Sequence, residues 1–503
     1  MVKETFYITT PIYYANASPH IGSAYTTIAA DILARWNRLL GKKVFFLTGT
    51  DEHGQKIQET ANKAGLNPKK FVDEIAEKFK QTFKLLNISN DDFIRTTDKK
   101  HEEEVKKILQ ELYNKKLIYK GVYEALYCIG CEQYKTRNEL IEGKCPLHKT
   151  EPQIVKEESY MFKLSNFQDN LIEIIKKDSY QILPEKRKNE VLAFIQEGLQ
   201  DIAISRLKSK VSWGIELPFD KEHTCYVWVD AFWNYITGLK SKENQKIFWP
   251  PNTQLMANDI LRVHATIWPA LLLALDYKLP KTLFVHGYFT VNGHKMSKSL
   301  GNVISPEYIA EKYSVDTLRY YIMRKISFGH DGDFSEEALK DAHNNELANK
   351  LGNLVSRVST LAEKYGLEKT KHTLPIENTL KQVEDHFKNY ELHKVLEIIF
   401  TYIDRTNEYI QEKKPWEVSS PQREAPQQSE EARNKSESNS RKVLYELVLA
   451  IKNISILISP FMPQTAEKIS KVFNFKISLK DLDKPLNTKI KIKKAEILFK
   501  KIT

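Results

Sequence analysis

The chain has 503 residues, 41% of them hydrophobic, which allows a large buried core and about three domains. A formal net charge of +11 favours a polyanionic partner such as RNA, although a lysine-rich composition or solubility alone would also account for it. No apolar run reaches about 18 residues, and Lys3 and Glu4 lead directly into a strand, so we expect no membrane span, no signal peptide and a cytoplasmic protein.

The first part of the chain alternates short apolar strands with amphipathic helices. The periodicity predicts, in order, elements at 6–9 (strand), 24–40 (helix), 44–47 (strand) and 69–86 (helix). After an interruption, the pattern resumes with elements at 225–230 (strand), 259–275 (helix) and 282–286 (strand). This order predicts an α/β fold with a Rossmann-type doubly wound parallel sheet, which binds ligands beyond the carboxyl ends of its strands.

Residues 19–23, Pro-His-Ile-Gly-Ser, lie between the first strand and the first helix. A helix N-terminus presents free N–H groups and partial positive charge, which suits a phosphate group. Gly22 lets a nucleotide approach the backbone, and His20 can donate a hydrogen bond to a phosphate oxygen. By itself the segment fits an ordinary loop equally well.

A second motif, Lys-Met-Ser-Lys-Ser at residues 295–299, follows the strand at 282–286. Its two lysines can stabilise the charge of a developing pyrophosphate. Alone, the motif fits a solvated basic turn. The two motifs in this order predict a single site that activates ATP.

Three of the four cysteines form a cluster with a histidine. The spacing C-x2-C-x13-C-x2-H, typical of tetrahedral zinc ligation by two knuckles, is formed by Cys128, Cys131, Cys145 and His148. Four protein ligands leave no open position, so we expect one structural Zn²⁺ per chain. The alternative is a small β-rich insert with three buried or free thiols. The fourth cysteine, Cys225, lies in an apolar run and is expected in the core.

From about residue 335 the chain is predicted to be almost wholly helical, with helices at 336–365, 376–413 and 441–457. Residues 419–440 carry almost no large apolar side chain and are expected to form a flexible surface loop. We therefore expect four segments: the first half of the sheet (1–117), an insertion with the zinc knuckle (118–225), the second half with the lysine motif (226–334) and a helix bundle (335–503).

The paired motifs resemble those of class I aminoacyl-tRNA synthetases. Longer stretches narrow the resemblance to the methionyl-tRNA synthetases over essentially the whole chain, and they lie at residues 10–16 (TPIYYAN), 49–54 (GTDEHG), 226–231 (YVWVDA) and 413–416 (KKPW). The resemblance implies that methionine and ATP form methionyl-adenylate and pyrophosphate. The methionyl group then passes to the 3′-terminal adenosine of methionine tRNA, initiator and elongator. It also implies that the helical segment is an all-α anticodon-binding domain.

In this resemblance Asp51 holds the methionine ammonium group. The side chains that would surround methionine are Ile12, Tyr14, Trp228, Ala231, Tyr235, Ile260 and His264. Aromatic groups suit the thioether, because sulfur–aromatic contacts add to apolar burial. From the residues alone, Trp228 and Tyr235 would equally fit a core, and Asp51 a helix N-cap.

For ATP, carried with Mg²⁺, the resemblance implies binding by His20, Gly22, Ser23, Asp259, Gly287, Phe289 and Lys298. The catalytic residues would be His20, Lys295 and Lys298, which stabilise phosphate charge in the transition state. Two positions depart from the family pattern. Ser23 replaces a more usual second histidine, and Asn258 stands where a lysine is common, which puts the strength of ATP binding in question.

Asn353 and Arg357 are one helical turn apart and, together with Trp416, match the family's anticodon-reading positions. Unstacked bases, here those of a CAU anticodon, call for an aromatic or guanidinium surface with hydrogen-bond donors. The alternative is a capped bundle helix beside a buried tryptophan.

Two other functions stay open at this point. One is a class I synthetase for leucine, isoleucine, valine or cysteine, which the set Asp51, Tyr14, Trp228 and His264 disfavours. The other is a non-catalytic tRNA-binding paralogue, which is disfavoured by the intact residues His20, Asp51, Lys295 and Lys298. Because the chain ends at Thr503, soon after the helical segment, we expect no appended oligomerising domain and a monomer.

Overall fold

The computed structural model describes residues 4–135, 139–291, 293–295, 303–417, 430–489 and 491–502. The chain forms two compact units. The first unit comprises Met1–Ala30, Lys42–Lys84 and Ile88–Gly287, and the second comprises Asp31–Gly41, Leu85–Asn87 and Tyr288–Thr503.

The first unit is built on a central parallel sheet, which has six strands in the described part of the chain. The strands of this unit are β1 (Thr5–Tyr14), β2 (Lys43–Asp51), β3 (Asp92–Arg95), β4 (Ile118–Cys128), β5 (Gln133–Lys135), β6 (Gln153–Phe162), β7 (Gln181–Leu183), β8 (Ile202–Ala203), β9 (Ser205–Leu207), β10 (Glu216–Leu217), β11 (Asp220–Cys225), β12 (Thr253–Ala257) and β13 (Thr282–His286). The order across the central sheet is β3-β2-β1-β12-β13-β7, and every neighbouring pair is parallel. Two antiparallel sheets, β5-β4-β6-β8 and β10-β11-β9, are formed by the other strands.

Helices follow or connect these strands. They are α1 (Ile21–Leu39), α2 (Gln55–Lys63), α3 (Pro68–Leu85), α4 (Lys99–Asn114), α5 (Gln168–Lys176), α6 (Glu185–Gln196), α7 (Val227–Phe232), α8 (Asn234–Thr237), α9 (Lys242–Phe248) and α10 (Leu261–Ala274). Almost every residue of α10 is buried, which agrees with its apolar residues on all sides and places it in the core. A 3₁₀ turn, Asn258–Ile260, joins β12 to α10.

The register of the central strands defines the edge where a ligand would bind. Tyr14 pairs with Asp51 at the ends of β1 and β2, and Ala257 pairs with His286 at the ends of β12 and β13. Because all these strands are parallel, these four residues lie along the carboxyl edge of the sheet, where α/β folds bind their ligands.

The predicted α/β class is confirmed, and so are the predicted elements up to residue 86 and those at 259–275 and 282–286, within a few residues. The strand predicted at 225–230 is wrong, because β11 ends at Cys225 and α7 begins at Val227. The aromatic and β-branched composition favoured a strand. The segment instead coils so that Phe232 stacks on Trp268 of α10, with ring centroids 5.6 Å apart, while Cys225 is buried as expected.

The second unit is mainly helical. It begins with the strands β14 (Phe289–Val291), β15 (His294–Lys295) and β16 (Gly332–Phe334), in the sheet order β15-β14-β16. Its helices are α11 (Pro306–Tyr313), α12 (Val315–Arg324), α13 (Glu336–Ala342), α14 (Asn353–Tyr365), α15 (Glu377–Lys388), α16 (Leu392–Lys413), α17 (Glu430–Ile458) and α18 (Pro463–Val472). A π-helical segment, His343–Gly352, connects α13 to α14.

Two predictions in this unit need correction. The helix predicted at 376–413 is two helices, because Tyr390 has a positive φ of 59° and ends the first of them. The surface loop predicted at 419–440 is wrong for residues 430–440, which form the first turns of α17, while residues 418–429 lie outside the described part. Polar side chains stabilise those turns, since Ser438 donates to Glu368 at 2.8 Å and Lys442 pairs with the same carboxylate.

Among the described residues, no helix combines the length and the apolar character that a membrane crossing requires.

Candidate active site and metal centre

The N-terminus of α1 carries the first predicted motif. The backbone N–H of Gly22 donates to His20 Nδ1 at 3.1 Å, so a neutral His20 carries its proton on Nε2. The Ser23 hydroxyl accepts from the backbone N–H of His20 at 3.0 Å and donates to the carbonyl of His20 at 2.7 Å. The Ser23 side chain, which is buried, therefore holds the turn that presents His20.

His286, at the end of β13, connects that strand to α1. Its Nδ1 donates to the carbonyl of Gly287 at 2.8 Å, which leaves Nε2 to accept from the Thr26 hydroxyl at 2.7 Å. Burial lowers the pKa of His286 to about 4, so the ring is neutral near pH 7. This contact fixes the start of α1 against the carboxyl edge of the sheet.

The turn after β2, residues 51–54, is tightly held. Glu52 accepts two hydrogen bonds from Arg95, at 2.6 and 2.8 Å. His53 Nδ1 lies 2.7 Å from Asp230 on α7, and the other oxygen of Asp230 lies 2.8 Å from His101 Nε2. Burial opposes a charge on His53, but the adjacent Asp230 carboxylate raises its pKa to about 10, so this pair is a buried ion pair.

Asp51 is the exception in this turn. Its Oδ1 is buried and has no hydrogen-bond partner among the described residues. Burial, followed by the nearby carboxylates of Asp230 and Glu132, raises the pKa of Asp51 well above its usual value. A carboxylate in this state is stabilised by a cationic ligand.

Aromatic side chains, among them Tyr14 and Tyr235, lie near Asp51. The Tyr235 hydroxyl donates to His264 Nε2 at 2.9 Å, because His264 Nδ1 already donates to the carbonyl of Ile260 at 3.0 Å. Burial lowers the pKa of His264 to about 4, so this ring is neutral too. The ring of Trp228 meets that of His264 edge-on, with centroids 6.0 Å apart. The arrangement offers an apolar, polarisable surface with one fixed hydroxyl.

The structure brings most of the predicted methionine-binding residues together. Tyr14, Trp228 and Ile260 pack, partly buried, against the apolar cluster that contains Tyr235. Ala231 is buried on α7, three residues after Trp228. Ile12 packs against a different cluster, formed by Tyr7, Leu47, Ile94, Leu239 and Phe248.

The remaining predicted ATP residues are distributed along the chain. Asp259 is exposed in the 3₁₀ turn after β12, and Gly287 follows β13 directly. Phe289 is buried at the start of β14 in the second unit. Lys295 is in β15, where its backbone pairs with that of Thr290 in β14, and Lys298 lies outside the described residues.

The four predicted metal ligands form a compact group in the first unit. Their ligand atoms all lie within 4.8 Å of one another. Cys131 Sγ lies 3.6 Å from Cys145 Sγ and 3.2 Å from His148 Nδ1, and Cys128 Sγ lies 3.8 Å from His148 Nδ1. Tetrahedral zinc with thiolate ligands requires separations of about 3.7 Å between ligand atoms. The donor set and its geometry therefore fit Zn²⁺ with all four positions filled by protein.

Arg357 and Trp416 are in contact in the second unit. The guanidinium carbon of Arg357 lies 4.8 Å from the centre of the Trp416 ring, a cation–π arrangement. Asn353 is exposed at the first residue of α14, one turn before Arg357. The three side chains offer a stacking surface and hydrogen-bond donors to an extended ligand.

Sequence reasoning missed several residues of this site: Glu52, Arg95, His53, His101, Asp230 and Glu132. A usable signal was present for Asp230, since a carboxylate inside the apolar run at 226–231 needs a buried cationic partner. Its partners are far apart in the chain, so their identity required the structure.

Comparisons with known proteins show which family the chain resembles over its length. The family model described as tRNA synthetases class I (M) matches residues 6–153 and 135–359, and the anticodon-binding domain of tRNA ligase matches residues 375–502. The methionine–tRNA ligase of Caldanaerobacter subterraneus subsp. tengcongensis is 43% identical over 100% of this chain and 79% of that relative. The same enzyme of Clostridium tetani is 44% identical over 96% of this chain and 75% of the relative. A crystal structure of Mycobacterium tuberculosis methionyl-tRNA synthetase bound by methionyl-adenylate is similar with a TM-score of 0.92 and 33% identity, covering 99% of this chain and 100% of that one.

Proposed function

The chain belongs to the methionine–tRNA ligase family, and from this premise we propose how its residues activate methionine with ATP and transfer it to methionine tRNA. The observation that carries the proposal is the buried Oδ1 of Asp51, which has no partner among the described residues and lies beside an aromatic cluster at the carboxyl edge of the sheet. A ligand with an ammonium group and an apolar side chain satisfies both features. The alternative of a non-catalytic paralogue is not favoured, because the curated relatives are ligases.

Methionine binding rests on charge and on shape. The ammonium group pairs with Asp51, and the thioether lies against Tyr14, Trp228, Ala231, Tyr235, Ile260 and His264. Because His264 stays neutral, the apolar side chain meets no charge there. Ile12 of β1, which packs against the separate cluster around Leu47, contributes a further apolar contact to methionine. A buried acceptor network of this kind discriminates by polarity as well as by size.

ATP activation rests on His20 and on the lysine motif. His20 donates from Nε2 to a phosphate oxygen, in an orientation that Ser23 and Gly22 hold. Both Lys295 and Lys298 neutralise the charge that develops when the methionine carboxylate attacks the α-phosphate and pyrophosphate leaves as its Mg²⁺ complex. Asp259, Gly287 and Phe289 complete the nucleotide site. No covalent enzyme intermediate is needed, because the attacking carboxylate comes from the substrate.

The group of Cys128, Cys131, Cys145 and His148 binds one structural Zn²⁺. When bound, the metal supplies a rigid crosslink between β4 and the loop at 145–148, with no role as a Lewis acid because no ligand position is open. Burial and the neighbouring thiols raise the pKa of Cys131, a cost that a bound cation removes.

The Asn353, Arg357 and Trp416 face reads the CAU anticodon of methionine tRNA. Arg357 and Trp416 already stack, so an unstacked base extends an existing surface. We also propose that the protein is a cytoplasmic monomer. Its segments follow the division at 117, 225 and 334, with β7 contributed to the central sheet by the insertion.

The experiment that tests the function is amino-acid-dependent exchange of pyrophosphate into ATP, followed by charging of methionine tRNA. We expect exchange with methionine and none with leucine or cysteine. Exchange driven by leucine or cysteine instead of methionine would refute the substrate assignment. Binding of tRNA without any adenylate formation would refute the enzyme assignment.

A further inference from the structure

Helix α2 begins four residues after Asp51, and its own N-cap residue provides no side-chain cap. Its N-cap residue is Gly54, which has no side chain to accept a hydrogen bond from the first turn. The backbone N–H of Lys56 instead donates to Glu132 Oε1 at 2.9 Å. A carboxylate from a distant part of the chain thus satisfies the helix N-terminus and complements its dipole.

Glu132 is held firmly in this position. It follows the metal ligand Cys131, has a left-handed φ of 49°, and is 3% exposed. The Tyr226 hydroxyl donates to its backbone carbonyl at 2.5 Å. Lys56 Nζ donates to the carbonyl of Gly130 at 2.8 Å, so α2 and the knuckle are joined at two points.

The same carboxylate faces Tyr14. A Cβ at Gly54 would lie 2.6 Å from Glu132 Oε1 and 2.9 Å from the Tyr14 hydroxyl, so only glycine leaves room for this contact. The Tyr14 hydroxyl donates to the carbonyl of His53 at 3.2 Å, and after burial itself the Glu132 charge contributes most to raising the pKa of Tyr14. Glu132 therefore lies against both sides of the turn that carries Asp51.

We propose that Glu132 is a positioning residue for methionine binding, which holds the turn at 51–54 and the ring of Tyr14 in the arrangement that receives the amino acid. The inference rests on the proposed function. It assigns Glu132 no contact with substrate, and its effect passes through Tyr14 and the N-terminus of α2, in addition to the charge that it places near Asp51. Loss of Glu132 should thus weaken methionine use selectively and leave ATP use unchanged.

The test measures methionine-dependent pyrophosphate exchange in the full chain. We expect Glu132→Ala to raise the KM for methionine roughly 10- to 100-fold, as loss of a charge-assisted hydrogen bond does, with the KM for ATP changed less than about twofold. Glu132→Gln keeps an oxygen acceptor for Lys56 and should raise the KM for methionine only roughly threefold. The control Glu151→Gln removes the same charge from an exposed position of the insertion and should leave both constants unchanged.

A double-mutant cycle separates positioning from general destabilisation. If Glu132 acts through Tyr14, the KM for methionine of Tyr14→Phe combined with Glu132→Gln rises by less than the product of the single effects. Zinc content and the midpoint of thermal unfolding check that each variant is folded. If Glu132→Ala does not fold, the KM values of Glu132→Gln test the inference instead. Unchanged methionine constants, equal increases for ATP and methionine, or a strictly multiplicative cycle would overturn the inference. Absence of methionine-dependent exchange in the unmodified protein would instead refute the proposed function.

Discussion

A buried carboxylate without a partner is costly, and the cost falls when a ligand supplies the missing cation. Around Asp51 the neighbouring charges already have partners, because Glu52 pairs with Arg95 and His53 pairs with Asp230. No cation in the described part of the turn is therefore left for Asp51 Oδ1. Under the proposed function, the ammonium group of methionine supplies a cationic partner for Asp51.

Replacement of Asp51 by asparagine tests this balance. Asp51→Asn keeps the size of the side chain and removes its charge, so we expect the KM for methionine to rise roughly 10- to 100-fold. Pyrophosphate exchange at varied methionine measures it. The control Asp169→Asn, an exposed position on α5, should behave like the unmodified protein. An equal effect of the two substitutions would contradict the assignment.

The neutral state of His286 predicts a pH dependence of stability. Below pH 6.5 the unfolded chain protonates this imidazole, whereas the folded chain resists protonation until about pH 4. His286→Gln removes that difference and keeps an acceptor for Thr26. As the pH is lowered from 6.5 to about 4, the free energy of unfolding of the unmodified protein should therefore fall relative to that of the variant, by about 1.4 kcal/mol per pH unit. Urea unfolding at pH 7, 6 and 5 measures the gap, and a constant gap would be inconsistent with a buried neutral ring.

Residue-level roles were only partly predictable from the sequence. Asp51 could be predicted as a ligand-binding residue because it follows an apolar strand and matches a family motif. The roles of Ser23 and His20 depend on hydrogen bonds inside one turn, which are set by rotamers that no pattern specifies. The resemblance placed Ser23 among the ATP-binding residues. The structure shows that the Ser23 hydroxyl donates its proton to the carbonyl of His20 and so holds the backbone of that turn.

At the scale of elements, α7 shows where periodicity was misread. Trp228, Ala231 and Tyr235 are spaced three and four residues apart, which is helical spacing, although the composition of the run favoured a strand. The helix places Trp228 beside His264 and turns Asp230 towards His53. In a strand, Trp228 and Ala231 would lie on opposite faces, because successive side chains alternate and these two are three residues apart.

In the proposed zinc knuckle, Gly130 lies close to the ring of His148. A Cβ at Gly130 would lie 2.5 Å from the ring of His148, so Gly130→Ala should displace this proposed ligand. We expect the zinc content to fall below half an equivalent per chain, measured by elemental analysis, because a three-ligand site binds zinc far more weakly. The control Gly121→Ala adds the same atom on β4, where the nearest contact is an ordinary 3.4 Å. Full zinc content in Gly130→Ala would contradict the expected displacement of His148.

At the scale of the whole molecule, the order of α/β and helical segments was predictable because long apolar periodicities survive in the sequence. The edge strand β7 could not be predicted, because a strand of three residues is too short to show a periodic pattern. The start of α17 was missed for a related reason. Its first turns contain few apolar residues and are stabilised by contacts with Glu368, which lies far away in the chain.

The two units carry residues that we have proposed for different steps of the reaction. We have proposed that adenylate formation uses Asp51 and His20, which belong to the first unit, whereas Arg357 and Trp416 belong to the second. We expect Arg357→Ala to leave methionine-dependent pyrophosphate exchange unchanged and to lower kcat/KM for methionine tRNA roughly tenfold or more, because it removes a stacking surface for an unpaired base. Arg405→Ala removes an equal charge from an exposed position of α16 and controls for general electrostatic attraction. If both substitutions lower kcat/KM for methionine tRNA equally, Arg357 contributes only its positive charge. If exchange falls together with charging, the face acts on folding or on the sheet domain, and its assignment to the anticodon fails.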